Sequence, residues 1–107
     1  MLTITKENWN KTVREAASPV LVEFTAPWCR YCRRLQPAME RVAEQYADQI
    51  QVGQVQVDEQ PELAAQYGVE TIPALLVFRQ GDHRDMRIAP GSQAELEEWL
   101  RGQLTGE

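Results

Sequence analysis

The chain of 107 residues is predicted to fold as an α/β domain, a central mixed five-stranded sheet flanked by four helices in the order βαβαβαββα. Three features predict this. Two dense apolar, β-branched runs at 20–26 and 74–78 have the make-up of strands buried on both faces of a sheet. Apolar residues elsewhere recur at helical spacing, as in Leu35, Met39, Val42 and Tyr46. A turn at Gly81-Asp82 separates the second run from a weaker, charged strand. The last two strands therefore read as an antiparallel hairpin, and the earlier strands, joined by helical crossovers, as parallel.

Leu2, Thr3 and Ile4 form a short first strand, and Thr5 is placed to cap a helix whose apolar face is Trp9, Val13 and Ala16. Ser18-Pro19 ends that helix. The second strand is interrupted only by Glu23. Pro27 suits the turn after it, and Cys29 opens the helix that carries Leu35 and Met39. Pro37 is expected to kink this helix, because proline has no N–H and crowds the preceding turn. A third strand spans 50–57, although Gly53 and three glutamines leave its two faces unassigned by alternation. Pro61 and Gly68 bracket a short helix through Leu63 and Tyr67. Beyond the fourth strand, Met86 and Ile88 lie on one face of the fifth, whose charges suit a sheet edge. Ser92 and Glu95 have capping-box spacing, and Leu96, Trp99, Leu100 and Leu104 give the last helix its stripe. The tail after it is expected to fray. With no repeat, linker or low-complexity segment, residues 1–107 read as a single domain.

A chain of this length can bury one core without a disulfide or a metal. Its formal net charge of -5, from 11 basic and 16 acidic residues, favours solubility and weighs against nucleic acid as a ligand. The first eleven residues show no basic patch followed by a sustained apolar stretch, and no apolar run approaches the length of a membrane span. The chain is therefore read as a cytoplasmic monomer with no membrane partner.

Its chemistry centres on Trp28-Cys29-Arg30-Tyr31-Cys32, which holds the only two cysteines. On a helix, positions i and i+3 share a face and stand within reach of a disulfide. The pair can therefore close and open. A bridge around so small a loop removes little entropy from the unfolded chain, which weighs against a purely structural role. At a helix N-terminus the backbone dipole favours a thiolate, and Arg30 adds a cation beside it, so Cys29 is the expected nucleophile. A structural zinc needs four ligands. Two cysteines and the lone His83, in a charged turn, would have to be doubled in a dimer to supply them. A Cys–His hydrolase would need His83 to reach Cys29 from a distant loop. Glu23, in so apolar a strand, reads as a functional buried acid or as a satisfied structural carboxylate. Arg33 and Arg34 read as a solvated helix face, Trp9 and Trp99 as core. Trp28 and Tyr31, beside a reactive thiol, read as an apolar platform for substrate.

Taken in order, the strand with one acid, Ala26-Pro27-Trp28-Cys29, Pro37, Val57-Asp58, Tyr67-Gly68-Val69, Thr71-Ile72-Pro73 and Gly91 resemble thioredoxins over the whole chain. The resemblance implies the thioredoxin fold and the reduction of protein disulfides. It also implies a cis peptide bond before Pro73. Trp28, Tyr31, Ile72, Pro73 and Gly91 would then form the substrate surface, where an extended segment pairs with the backbone. In the implied cycle Cys29 attacks the substrate disulfide, Cys32 resolves the mixed disulfide, and Glu23 takes the proton of Cys32 directly or through a water. Implied partners are disulfide-containing proteins and a thioredoxin reductase that itself binds NADPH. No cofactor or metal is implied for this chain, whose redox group is the Cys29–Cys32 disulfide.

The chain also departs from the family pattern. Arg30-Tyr31 stands where thioredoxins have Gly-Pro, and a tyrosine there is similar to glutaredoxins. Favouring the Cys29 thiolate stabilises the reduced form and makes the pair more oxidising. A disulfide oxidase or isomerase using the same cysteines therefore stays open, as does a non-enzymatic docking module. Glu23 replaces the usual aspartate and is one methylene longer. Gln54 replaces a lysine, so burial without that charge is expected to raise the Glu23 pKa. Thr25 stands where a second tryptophan is common. The hairpin from Gly81 to Gly91 is longer than usual, which would reshape one wall of the substrate groove.

Overall fold

Strand β2 (Val20–Thr25) can occupy the middle of a sheet because all six of its residues are buried. The computed structural model, which describes residues 1–105, pairs it in parallel with β3 (Gln51–Gln56) and antiparallel with β4 (Ala74–Arg79). Gly106 and Glu107, the end of the tail expected to fray, lie outside the described residues. β1 (Leu2–Thr3) extends the sheet beyond β3, and β5 (Asp82–His83) and β6 (Arg87–Ile88) lie antiparallel to β4.

The mixed character has a simple cause. Between β3 and β4 stands only α2 (Pro61–Gln66), and six helical residues rise about 9 Å where a six-residue strand covers about 20 Å. Such a helix cannot return the chain to the end where β2 and β3 begin. β4 therefore starts where they finish, with Ala74 opposite Phe24. α2 itself ends in a Schellman motif, in which Gly68 takes a φ of 69° and the Val69 N–H donates to the Ala64 carbonyl at 2.9 Å.

Helices cover both faces. Val22, Phe24, Leu76 and Phe78 pack beneath α2 and a π-helical turn (Asn10–Arg14) that brings in Trp9 and Val13. Leu21, Leu75 and Val77 pack beneath α1 (Arg30–Gln45) and α3 (Gln93–Thr105). Thr5 closes the turn that leads into the first helical segment, accepting from the Asn8 N–H at 3.3 Å while its own N–H donates to Asn8 Oδ1 at 2.8 Å. The segment itself starts after Trp9 with no side-chain cap. It is a single widened turn, closed by the Glu15 N–H on the Asn10 carbonyl at 2.9 Å.

Gly53 resolves the ambiguity of the third strand. It pairs with Leu2 on one side and Val22 on the other, and a Cβ there would collide with the side chain of Ile4. Its bareness lets Ile4 enter the core. Val55 then joins the α2 side, while Val52 joins the α1 side and Gln54 bonds to α1.

The fifth strand differs from its expected form. The hairpin turn is Gln80-Gly81, both with positive φ, as a two-residue turn of type I′ requires. Three residues, 84–86, then oppose Leu76 and Val77, one more than the ladder needs. That bulge splits the strand into β5 and β6 and gives the sheet a sixth member. Met86 packs against the core cluster that contains Ala74, the register partner of Ile88, so the two share one face although Ile88 itself is exposed. At α3 the Ser92 hydroxyl accepts from the Glu95 N–H at 3.1 Å, but the Glu95 carboxylate turns to the Gly91 N–H and to Arg87. Among the described residues no helix is long and apolar enough to cross a membrane.

Gly53→Val is expected to destabilise the oxidised protein by about 1–3 kcal/mol, because the added side chain must displace Ile4 from a filled core. Urea unfolding followed by tryptophan fluorescence measures it.

Candidate active site

The pairing of Phe24 with Ala74 and of Ala74 with Ile88 brings three chain segments to one end of the sheet. These are the turn after β2, the approach to β4 and the exit from β6. In the first, Cys29 has extended backbone and is the N-cap of α1, its Sγ accepting from the Cys32 N–H at 3.2 Å. Cys29 and Cys32 form a disulfide with Cα atoms 5.2 Å apart. Both are buried, at 7% and 3% exposure. The first turn of α1 carries no acid, so nothing there offsets its positive end. In the second segment the Ile72–Pro73 peptide bond is cis, and the Ile72 carbonyl oxygen lies 4.0 Å from Cys29 Sγ.

The rim is aromatic and pinned by polar contacts. Trp28, 64% exposed, donates its indole N–H to Asp58 Oδ2 at 2.6 Å. The Tyr31 hydroxyl, on the first turn of α1, stands 3.3 Å from the carbonyls of both Ala89 and Pro90. It joins the motif to the third segment, and a groove between them is lined by Tyr31, Pro90 and Gly91. Ile88 is exposed on β6. Arg33 is not simply a solvated side chain, for it donates to the Pro27 carbonyl at 2.8 Å and ties the turn to the helix. Arg30 and Arg34 are exposed. His83 stacks edge-on with Tyr67 and Phe78. Among the described residues no group of three or more His, Cys, Asp or Glu side chains could hold a metal ion.

Behind the disulfide helix, Glu23 is fully buried in β2. Its Oε1 accepts from Gln54 Nε2 at 2.7 Å, the two residues being register partners on adjacent strands. The same nitrogen donates to Gln36 Oε1 on α1 at 2.9 Å. Glu23 Oε2 has no hydrogen-bond partner. Burial pushes the carboxyl up from 4.5 to about 7, and the bond from Gln54 offsets part of that rise. Cys32, Gln36 and Gln54 line one cleft.

Three contributors escaped the sequence reading. Asp58 was visible only as part of Val57-Asp58, since its bond to Trp28 spans thirty residues. Gln36 resembles any polar residue on an exposed helix face. Ile88 was read as a residue of a charged edge strand and not as part of the rim.

A buried two-residue-spaced disulfide at a helix N-terminus, beneath an aromatic rim, defines a protein of the thiol–disulfide exchange class. The family model described as Thioredoxin matches residues 1–102. "Thioredoxin 1" of Synechococcus elongatus is 43% identical over 82 residues, 77% of each chain. "Thioredoxin 1" of Nostoc sp. is 37% identical over 101 residues, 94% of each chain. "Thioredoxin" of Acidithiobacillus ferridurans is 34% identical over 104 residues, 97% of this chain and 96% of its own. The chain belongs to the thioredoxin family. It is an oxidoreductase that reduces protein disulfides by dithiol–disulfide exchange through Cys29 and Cys32.

The raised Glu23 pKa has a consequence for stability. Below pH 4.5 the carboxyl is protonated in both folded and unfolded chains, and its burial costs little. Between pH 4.5 and about 7 only the unfolded chain releases the proton, so the stability contributed by this group falls as pH rises. The loss levels off above about 7, at no more than about 3 kcal/mol. Urea unfolding across pH 4 to 8, compared with the Glu23→Gln variant, should show this slope in the native chain and its loss in the variant.

Proposed function

We propose that Cys29 is the nucleophile, Cys32 the resolving thiol and Glu23 the proton acceptor in reduction of protein disulfides. The Cys29 thiolate attacks one sulfur of the substrate disulfide, and the S–S bond breaks to release one substrate thiolate and leave a mixed disulfide. Cys32 gives its proton to Glu23, directly or through a water, and attacks Cys29 Sγ. The second substrate thiolate leaves, the substrate has gained two electrons, and Cys29–Cys32 is oxidised. The observation that carries this assignment is the placement of Cys29 Sγ at the helix terminus, 4.0 Å from the Ile72 carbonyl oxygen at the rim. Arg30, one residue on, adds a positive charge that favours the Cys29 thiolate.

Trp28, Tyr31, Ile72, Pro73 and Gly91 are the proposed substrate surface, an apolar rim beside which an extended segment pairs with backbone. The oxidised protein is returned to its dithiol form by a thioredoxin reductase that holds its own NADPH. The working compartment is the cytoplasm, where a pair of cysteines committed to exchange is kept reduced. The protein acts as a monomer and needs no bound cofactor.

Incubated with a disulfide-bonded protein substrate, Cys32→Ser is expected to accumulate a covalent mixed disulfide through Cys29, visible by intact mass. Cys29→Ser should form none and lose at least about a thousandfold in reductase activity. A docking module would keep its partner binding in both variants with no covalent species.

The direction of exchange is read from the reduction potential, measured as the oxidised fraction across defined dithiothreitol ratios. A value near about -270 mV supports the reductase, and one above about -200 mV would instead assign Arg30-Tyr31 the role of making an oxidase or isomerase.

A further inference from the structure

Gln54 has one side-chain nitrogen, and both of its hydrogens are committed. One goes to Glu23 Oε1 at 2.7 Å and the other to Gln36 Oε1 at 2.9 Å. A primary amide has nearly the same shape when turned end for end, but it then presents an acceptor where it had presented a donor. With nitrogen toward Glu23 it favours the ionised carboxylate. With oxygen there it would accept from the protonated acid and favour the neutral form. Gln36 decides between the two. Its own nitrogen is directed to Glu40 Oε2 at 3.4 Å, and an ionised carboxylate can only accept. The Gln36 oxygen is thereby left for Gln54. Donation thus diverges from Gln54, whose nitrogen serves both Glu23 and Gln36, and Gln36 donates onward to the exposed Glu40.

We propose that Gln36 is a positioning residue for the exchange reaction: by accepting from Gln54, it holds that amide nitrogen-first against Glu23 and keeps the buried carboxyl able to take a proton. The proposal rests on the assignment of Glu23 as the acceptor for Cys32. Gln36 stands one helical turn beyond Cys32, and both line the cleft that Gln54 shares. One turn of α1 thus carries both the thiol that gives up the proton and the group that prepares its acceptor.

The surroundings of Glu23 leave little else to set its charge among the described residues. β3 offers Gln54, while β4 and α3 offer apolar side chains. On α1, Cys32 is bridged to Cys29 in the oxidised protein, Arg33 lines the shared cleft with its guanidinium on the Pro27 carbonyl, and Glu40 is linked through Gln36. Burial raises the Glu23 pKa and the Gln54 bond lowers it, so the orientation of one amide is the available adjustment.

The test is a carbon-13 NMR titration of the Glu23 carboxyl in the full-length oxidised protein, its signal identified by its absence in Glu23→Gln. Gln36→Met keeps the side-chain length on a half-exposed helix position and removes the acceptor. It is expected to raise the Glu23 midpoint by roughly one pH unit. The pH below which mixed-disulfide resolution slows in single turnovers should move with it. In a Gln54→Met background the same substitution should shift nothing, because Gln36 acts only through Gln54. An unchanged or lowered midpoint in Gln36→Met overturns the proposal, as does an equal shift with and without Gln54. Should Gln54→Met fail to fold, the midpoint of Gln36→Met alone decides. The underlying reading fails separately: if Glu23→Gln leaves the pH profile of resolution unchanged, Glu23 is not the acceptor. If Glu23→Gln flattens that profile while Gln36→Met leaves the native one in place, only the role of Gln36 is lost.

Discussion

Strand β2 must be covered on both faces, and most of the structure follows from that requirement. Six consecutive buried residues need helices above and below, which α1 and α3 supply on one side and α2 with the π-helical turn on the other. The chain leaves β2 where β4 begins, because α2 is too short to carry it back. The disulfide helix and the Ile72–Pro73 turn are therefore neighbours as a result of how the sheet is covered. A strand so buried can hold a carboxyl only as a strained guest, with its charge governed by whatever polar group reaches it. Here that group is a neutral amide, where the family often supplies a lysine.

The fold was largely legible because its signals are local. Dense β-branched runs, a proline and a glycine bracketing α2, and a capping pattern at α3 each act within a few residues. Gly53 was harder. Its meaning depends on Ile4, almost fifty residues away in the chain, and no alternation within 50–57 could report that contact. The bulge at 84–86 was likewise hidden, since one surplus residue in a charged strand alters register without altering composition. The first helix shows the same limit, for Trp9 and Val13 keep helical spacing in a turn that is wider than an α-helix.

The site divides along the same line. Cys29 and Cys32 announce themselves by spacing, and Glu23 by being an acid in an apolar strand. Asp58, Gln36 and Gln54 are ordinary polar residues whose roles exist only once three elements meet. Polar residues of this kind are invisible to periodicity, because nothing in their own segment distinguishes a solvated amide from one aimed at a buried acid. Gln54 and Asp58 came into view only through the family pattern, and Gln36 not at all.

Tyr31 lies between the two cysteines, yet its hydroxyl reaches the carbonyls of Ala89 and Pro90 on the far side of the groove. The position that most thioredoxins give to proline is here a strut across the opening. A change at this single residue would therefore remove a tie between the first turn of α1 and the segment after β6 as well as alter the turn that carries the sulfurs. The same residue thus belongs both to the turn between the sulfurs and to the wall of the groove beside them.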